Sequence, residues 1–470
     1  MTVPRCKHFD ICGSAAYQRV GDDDFCALHV PPKAQKANAS LRPAFEQYVQ
    51  RGGCDFRWMY LPATAGVSFE RQTFAQHVDF TGASIQSVGL ANSRLLGGLT
   101  VDTDANTVDL FQAVVEGPVL VKTPRPISVR LARGEFGERV EVQAGGMLSL
   151  DISYATIAGF ASFVAPRMEG LNAAAVVCKA GLKLEGLIAG WSLADITVHR
   201  LFDLRSCIFA GGIVSLDSLT GDADLDLRGA AFSAAFSLRT SAIRRLYIAR
   251  TRFGGECDVR APLGGRPIAV IAEDTRPTFL SETRLTNVDL AACLIVGNPI
   301  GRLHLSDAIW PTWQRRRVLY DEIKLRRHAD AAPLRSVEEA YQALKKMYQD
   351  KGDHSHAGDF HYGEMEMRRH DRSNWRSLAC WEFPYWFLSG YGTRPAWSLA
   401  WLCFLTFVSA CFYYWLGDHS FGEALRFSVA VATLQKRDDP SGGWVKVLQM
   451  IASAVVLALF ILAVRMRVKR

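Results

Sequence analysis

The sequence is thin in the features that would name an activity. No nucleophile elbow, Walker loop or zinc-protease HExxH occurs in its 470 residues. An enzyme reading therefore has no residues to stand on. The 11 cysteines are spread along the chain, whereas a disulfide scaffold needs density in a short secreted one. The net charge of +7 is mild for this length and does not imply nucleic acid. No apolar run follows the first positive residues, so no secretory signal is expected. Mean hydropathy is +0.05, too low for a polytopic membrane protein filling the whole length. Disorder is excluded too, because 11% aromatic residues can bury more than a polar tail could. At about 100–200 residues per domain, the length calls for several units.

Long apolar runs are scarce, and both lie near the end. Residues 396–416 read AWSLAWLCFLTFVSACFYYWL and residues 447–464 read VLQMIASAVVLALFILAV, with no charge in either. At about 1.5 Å per residue each reaches across a hydrocarbon core of about 30 Å. Both are predicted to be transmembrane helices, buried core helices being the alternative. Arg368, Arg369, Arg372, Arg376 and Arg394 precede the first run, and Arg465, Arg467, Lys469 and Arg470 follow the second. The positive-inside rule then places both termini in the cytoplasm, at an inner membrane. Between the runs, residues 421–440 are too apolar for an outside loop and are read as a re-entrant segment. Backbone at membrane depth must be buried in protein or line a water-filled cavity, which implies oligomers around an axis.

Residues 66–310, with a net charge of −2, carry a five-residue period. Phe69 and Phe74 begin it; Ile85, Leu90 and Leu95 continue it. Leu110, Val115 and Leu120 repeat it, and Leu280, Leu285 and Leu290 close it. Asp often precedes the apolar position, as in Asp79-Phe80, Asp226-Leu227 and Asp289-Leu290. This period fits neither a helix nor a strand. It fits a coil of four short sides, each turning one apolar residue inward. The stretch resembles the pentapeptide-repeat family, whose fold is a right-handed quadrilateral β-helix. That implies roughly twelve coils of about twenty residues, spaced about 4.8 Å apart. Residues 122–129 and 261–278 lose the register and are expected to loop out. The alternative is a β-sandwich array. A near-neutral rod supports neither DNA mimicry nor phosphate tracking, so a cytoplasmic protein or signal is the expected partner. Cys207, Cys257 and Cys293 read as buried fillers.

Near the start, Cys6, Cys12, Cys26 and His29 are spaced C-x5-C-x13-C-x2-H. Four such ligands can form a closed structural zinc site, with His8 as an alternative fourth. The segment resembles the CCCH knot that precedes some membrane-linked pentapeptide proteins. After Trp310 the pattern turns helical: a basic segment over 314–327, a helix from Ser336 with Ser336 and Glu339 as a capping box, and another over 357–370. His354, His356, His361 and Glu364 share no clear face for a metal.

The block from Tyr341 to Arg470 resembles the two-helix potassium-channel-like pore module found at the C-terminus of some pentapeptide-repeat proteins. Tyr341, Leu344, Lys345, Gly352-Asp353, Ala357-Gly358-Asp359-Phe360, Glu364-Met365, Ser389-Gly390-Tyr391-Gly392, Arg394-Pro395, and Phe427-Ser428 to Thr433-Leu434 carry the match. The resemblance implies a homotetramer around one pore. Gly390-Tyr391-Gly392 precedes the first span and is read as an interfacial turn. The filter position Thr433, Leu434, Gln435, Lys436, Arg437, Asp438 lacks the Gly-Tyr-Gly of a carbonyl filter, so potassium selectivity is not expected. Gln449 and Ser453 share a face of the second span; they are candidates to line the pore or to bond helix to helix. The expected multidomain plan is a CCCH knot (1–35), a linker (36–65), the β-helix (66–310), a helical connector (311–395) and the membrane module (396–470). The expected function is a pore, gated by the rod, that passes ions across the lipid bilayer without potassium selectivity. The alternative is a non-conducting membrane-anchored scaffold.

Overall fold

The structure is a computed structural model. It describes residues 4–31, 41–62, 68–274, 279, 281–327, 333–370, 382–392, 394–416, 420–433, 435 and 443–468. The chain divides into two compact units. Met1–Cys293 with Arg302–Ile309 form the first, and Leu294–Gly301 with Trp310–Arg470 form the second.

The first unit is a β-solenoid of about 11 turns. Its short strands pair in parallel, each with the strand one turn on. Leu99 lies beside Val119, Val119 beside Val140, Val140 beside Ala161, and Ala161 beside Leu182. Apolar residues at equivalent positions therefore stack. Phe209, Phe232 and Phe253 are parallel, with ring centroids 5.2 and 5.5 Å apart.

The Asp residues that punctuate the repeat have a local task. Asp79, Asp109, Asp151, Asp203, Asp226 and Asp289 each accept the backbone N–H two residues on. Each side chain thereby closes a corner and leaves the intervening apolar residue pointing inward. The corner is left-handed one residue further on, as at Gln112 after Asp109 and Tyr154 after Asp151, and at the equivalent Arg71, Asn92, Arg133, Ala175 and Asp195, with φ between 53° and 59°. Those side chains have a Cβ, so the neighbouring turns impose a conformation that the residues alone disfavour.

Residues 122–129 do not loop out as expected. They belong to a twelve-residue strand, Val119–Arg130, paired along its length with Val140–Asp151. Two register shifts absorb the prolines, and glycine stands opposite them: a Cβ on Gly145 would lie 2.0 Å from the Pro124 carbonyl oxygen. Of residues 261–278, Ile268–Ala272 is likewise a paired strand. The first turn starts earlier than the repeat suggested, because Tyr60–Leu61 already pair with Ser84–Ile85. Cys207, Cys257 and Cys293 are buried.

Two helices precede this turn, α1 (Phe9–Cys12) and α2 (Leu41–Gln50). Leu41 and Phe45 of α2 are buried, and Phe45 packs edge-on against Phe69 at 4.9 Å.

From Trp310 the second unit continues with an antiparallel pair, Thr312–Trp313 with Arg316–Arg317. The expected helix is thus confined to α3 (Tyr320–Arg327). An antiparallel hairpin follows, α4 (Leu334–Asp350) and α5 (His354–His370). The expected capping box is not formed. Pro333, with φ −57°, is the N-cap, so α4 starts before Ser336 and encloses it. Tyr341 is fully buried, and a Cβ on Gly363 would come within 2.6 Å of its ring. The Tyr341 hydroxyl donates to Glu322, whose carboxylate also takes Arg316 and Arg326.

Then come α6 (Glu382–Ser389), α7 (Pro395–Leu416), α8 (Phe421–Ala432) and α9 (Gly443–Val468). Two of these, α7 and α9, are long and apolar enough to cross a membrane. Gly390, Tyr391 and Gly392 form a turn with positive φ just before α7. Tyr391 is part of the packing there. It is buried, its ring 5.1 Å from Tyr362, and its hydroxyl faces Glu366 of α5 at 3.5 Å.

Candidate metal centre and three-helix module

The four residues singled out near the start converge. Helix α1 ends at Cys12, and the hairpin Gln18–Val20 with Asp23–Phe25 returns the chain so that Cys26 and His29 face Cys6 and Cys12. Their ligand atoms lie within 4.8 Å of one another, and all four residues are buried. A tetrahedral zinc site needs edges of about 3.8 Å between sulfurs and about 3.6 Å between sulfur and nitrogen. The separations are 3.7 Å for Cys12–Cys26 sulfurs, 3.7 Å from Cys6 Sγ to His29 Nδ1, and 3.1 Å from Cys26 Sγ to His29 Nδ1. The four residues could hold a metal ion.

The imidazole is oriented for that task. Its Nε2 lies 3.1 Å from the Arg57 carbonyl oxygen, which can only accept. The proton is therefore on Nε2, and the Nδ1 lone pair faces the thiols. A hydrogen bond from Cys26 pulls the Cys12 thiol down to about 3 against the effect of burial, while that bond and burial raise Cys26. Three crowded thiols thus resist ionising together until a cation compensates them. His8 stands outside this set, its ring 4.9 Å from that of His29. Among the described residues, no other group of His, Cys, Asp and Glu converges this way. His356 is engaged by Asp353, and His361 by Glu364.

The membrane-length helices hold a second arrangement. Helix α8 has twelve residues, or about 18 Å, too short to cross a core of about 30 Å. Its start is fixed by Glu423, whose carboxylate accepts both the N–H and the hydroxyl of Ser420. Its buried face, Ala424, Phe427, Ser428 and Val431, lies between α7 and α9. One side chain ties the three helices together. Gln449 of α9 accepts from the Tyr413 hydroxyl of α7 at 2.9 Å, and donates to Ser428 of α8 at its carbonyl (2.9 Å) and hydroxyl (2.8 Å). Ser428 in turn donates to the Thr406 carbonyl at 2.7 Å. Within one chain Gln449 thus bonds helix to helix. Ser453, one turn on, is fully buried, and its hydroxyl has no partner among the described residues.

Thr433 caps α8, its hydroxyl donating to Val429 at 2.9 Å, and exposed Gln435 donates its N–H to Ala430 at 2.8 Å. Leu434, Lys436, Arg437 and Asp438 lie outside the described residues. The sequence marked Phe427-Ser428 only through the family resemblance and did not point to Tyr413 or the Arg57 carbonyl. A tyrosine on an uncharged run was a weak signal for the first, and no sequence pattern reports a backbone carbonyl. Compared with family models, curated proteins and solved structures, the chain finds no match.

Proposed function

We propose that the protein is an oligomeric membrane pore whose β-solenoid binds a cytoplasmic partner or signal and gates ion passage. In this reading the solenoid is a right-handed pentapeptide-repeat β-helix. Helices α7 and α9 span the inner membrane with both termini in the cytoplasm. Helix α8 is the re-entrant pore helix of a homotetramer. The observation that carries the reading is α8 itself: an apolar helix too short to span, locked between two of spanning length by Gln449. Thr433 and Gln435 then stand at the pore mouth, and because the sequence at 433–438 has no Gly-Tyr-Gly the pore does not select potassium. Zinc is the metal proposed for Cys6, Cys12, Cys26 and His29, in a structural role with no open position.

The test is conductance of the purified protein in planar bilayers. Current without preference for potassium over sodium supports the pore. A silent protein that pellets with membranes and is monomeric in detergent overturns it.

One observation favours a second reading, a membrane-anchored scaffold. Gln449, Ser428 and Tyr413 satisfy one another inside one chain, so this network leaves none of them turned outward to line a pore. In that case the protein assembles without current.

A further inference from the structure

A solenoid has two open ends, and each end presents unpaired backbone groups that invite another strand. At the N-terminal end the first turn runs through residues 54–61. One side of this segment is bonded to the second turn. Phe56 donates to Asp79, Trp58 to Thr81, and Ser84 donates back to Met59. The other side faces the Cys/His knot. The Tyr60 N–H donates to the Leu28 carbonyl at 2.9 Å, and the Arg57 carbonyl accepts from His29 Nε2 at 3.1 Å. Helix α2 covers the apolar centre, with Phe45 on Phe56 and Phe69, while the Tyr48 hydroxyl donates to the Asp55 carbonyl at 2.8 Å.

We propose that the Cys6–Cys12–Cys26–His29 knot is the end cap of the solenoid, and that a bound zinc ion closes the first turn by fixing His29 and Leu28 against its free edge. The inference rests on the metal reading and adds what the metal is for. The knot has little core of its own: α1 has four residues and each strand of the hairpin has three. Its folding free energy is therefore largely metal-binding free energy. Only two knot residues reach the edge of the first turn by hydrogen bonds that are described, and one of them is a ligand. Loss of the metal frees the His29 ring to rotate, and the Arg57 carbonyl loses its donor. The first turn then frays from its outer side, and its strand edge becomes available to a second copy of the chain.

The experiment is hydrogen exchange on the full-length protein in detergent, with zinc content measured in parallel. Removing zinc with a chelator should lower protection of the Phe56–Leu61 amides by about 100-fold or more. Protection at Val140–Gln143 should stay unchanged, and added zinc should restore the first turn. His29→Cys separates the two roles: it keeps four ligands but removes the imidazole donor. That variant should retain zinc and still lose protection at Phe56–Leu61. Zinc that binds and leaves without changing those amides overturns the cap. A protein that takes up no zinc, and shows no thiolate absorption with cobalt, overturns the metal reading beneath it.

Discussion

The solenoid and the helical unit satisfy their polar groups by opposite means. In the solenoid the backbone pairs with itself turn after turn, and side chains such as Asp203 and Asp226 bond to backbone two residues away. Each rung repeats the last, and losing one contact leaves its neighbours in place. In the helical unit a few side chains each hold several distant elements. Glu322 receives Arg316, Arg326 and Tyr341, and Gln449 joins α7, α8 and α9. Distributed bonding should yield gradually, and bonding through hubs should fail at one residue.

The largest contrast should come from Glu322→Ala. It leaves Arg316, whose side chain is 5% exposed, with its charge uncompensated, which costs about 3–5 kcal/mol. Denaturation followed by tryptophan fluorescence should show the helical unit melting early while solenoid circular dichroism persists. The solenoid counterpart, Phe232→Ala, removes one ring from a stack at a cost of about 3–5 kcal/mol. Its loss should stay local, so that hydrogen exchange rises near residues 209–253 and not at 99–142.

Gln449→Leu should cost about 1–3 kcal/mol, because Tyr413 and the Ser428 hydroxyl lose buried partners. Faster exchange confined to α8 would mark Gln449 as the hub; faster exchange along all of α7 would contradict it.

A pH titration probes the hairpin of α4 and α5. Burial opposes ionisation of Glu364, yet hydrogen bonds from His361 and Lys345 hold its carboxyl down at about 2. A carboxyl lowered on folding stabilises above its unfolded value, near 4.3. Stability should therefore fall as pH drops from about 4.3 toward about 2. Glu364→Gln should flatten that limb of the melting curve. The smallest effect is expected at Ala175, whose φ is 55°. Ala175→Gly relieves left-handed strain and should be neutral or stabilising by up to about 1 kcal/mol.

The same contrast explains what could be read from the sequence. A period of five repeated over many turns is visible because every rung restates it, and Asp79-Phe80 or Asp289-Leu290 carry their structural reason within three residues. The lost register at residues 122–129 misled, because what lets Pro124 stay in the strand sits a turn away at Gly145. The four residues that could hold a metal were legible from their types and spacing. The contacts that place them were not, since His29 meets Arg57 through a main-chain oxygen. Nothing in the sequence around Tyr391 reported its burial, because only the fold brings Glu366 and Tyr362 to it. Hub contacts join residues far apart in sequence and leave no period to detect.

The most direct test of the pore uses Gln435, which is exposed just beyond α8. With Cys403 and Cys411 replaced by serine, Gln435→Cys channels in planar bilayers would be treated with a charged methanethiosulfonate reagent. The pore arrangement requires a current that changes abruptly on modification and recovers on reduction. A steady current, unaltered while mass spectrometry shows the thiol modified, would place residue 435 away from the ion path and contradict the proposed role of α8.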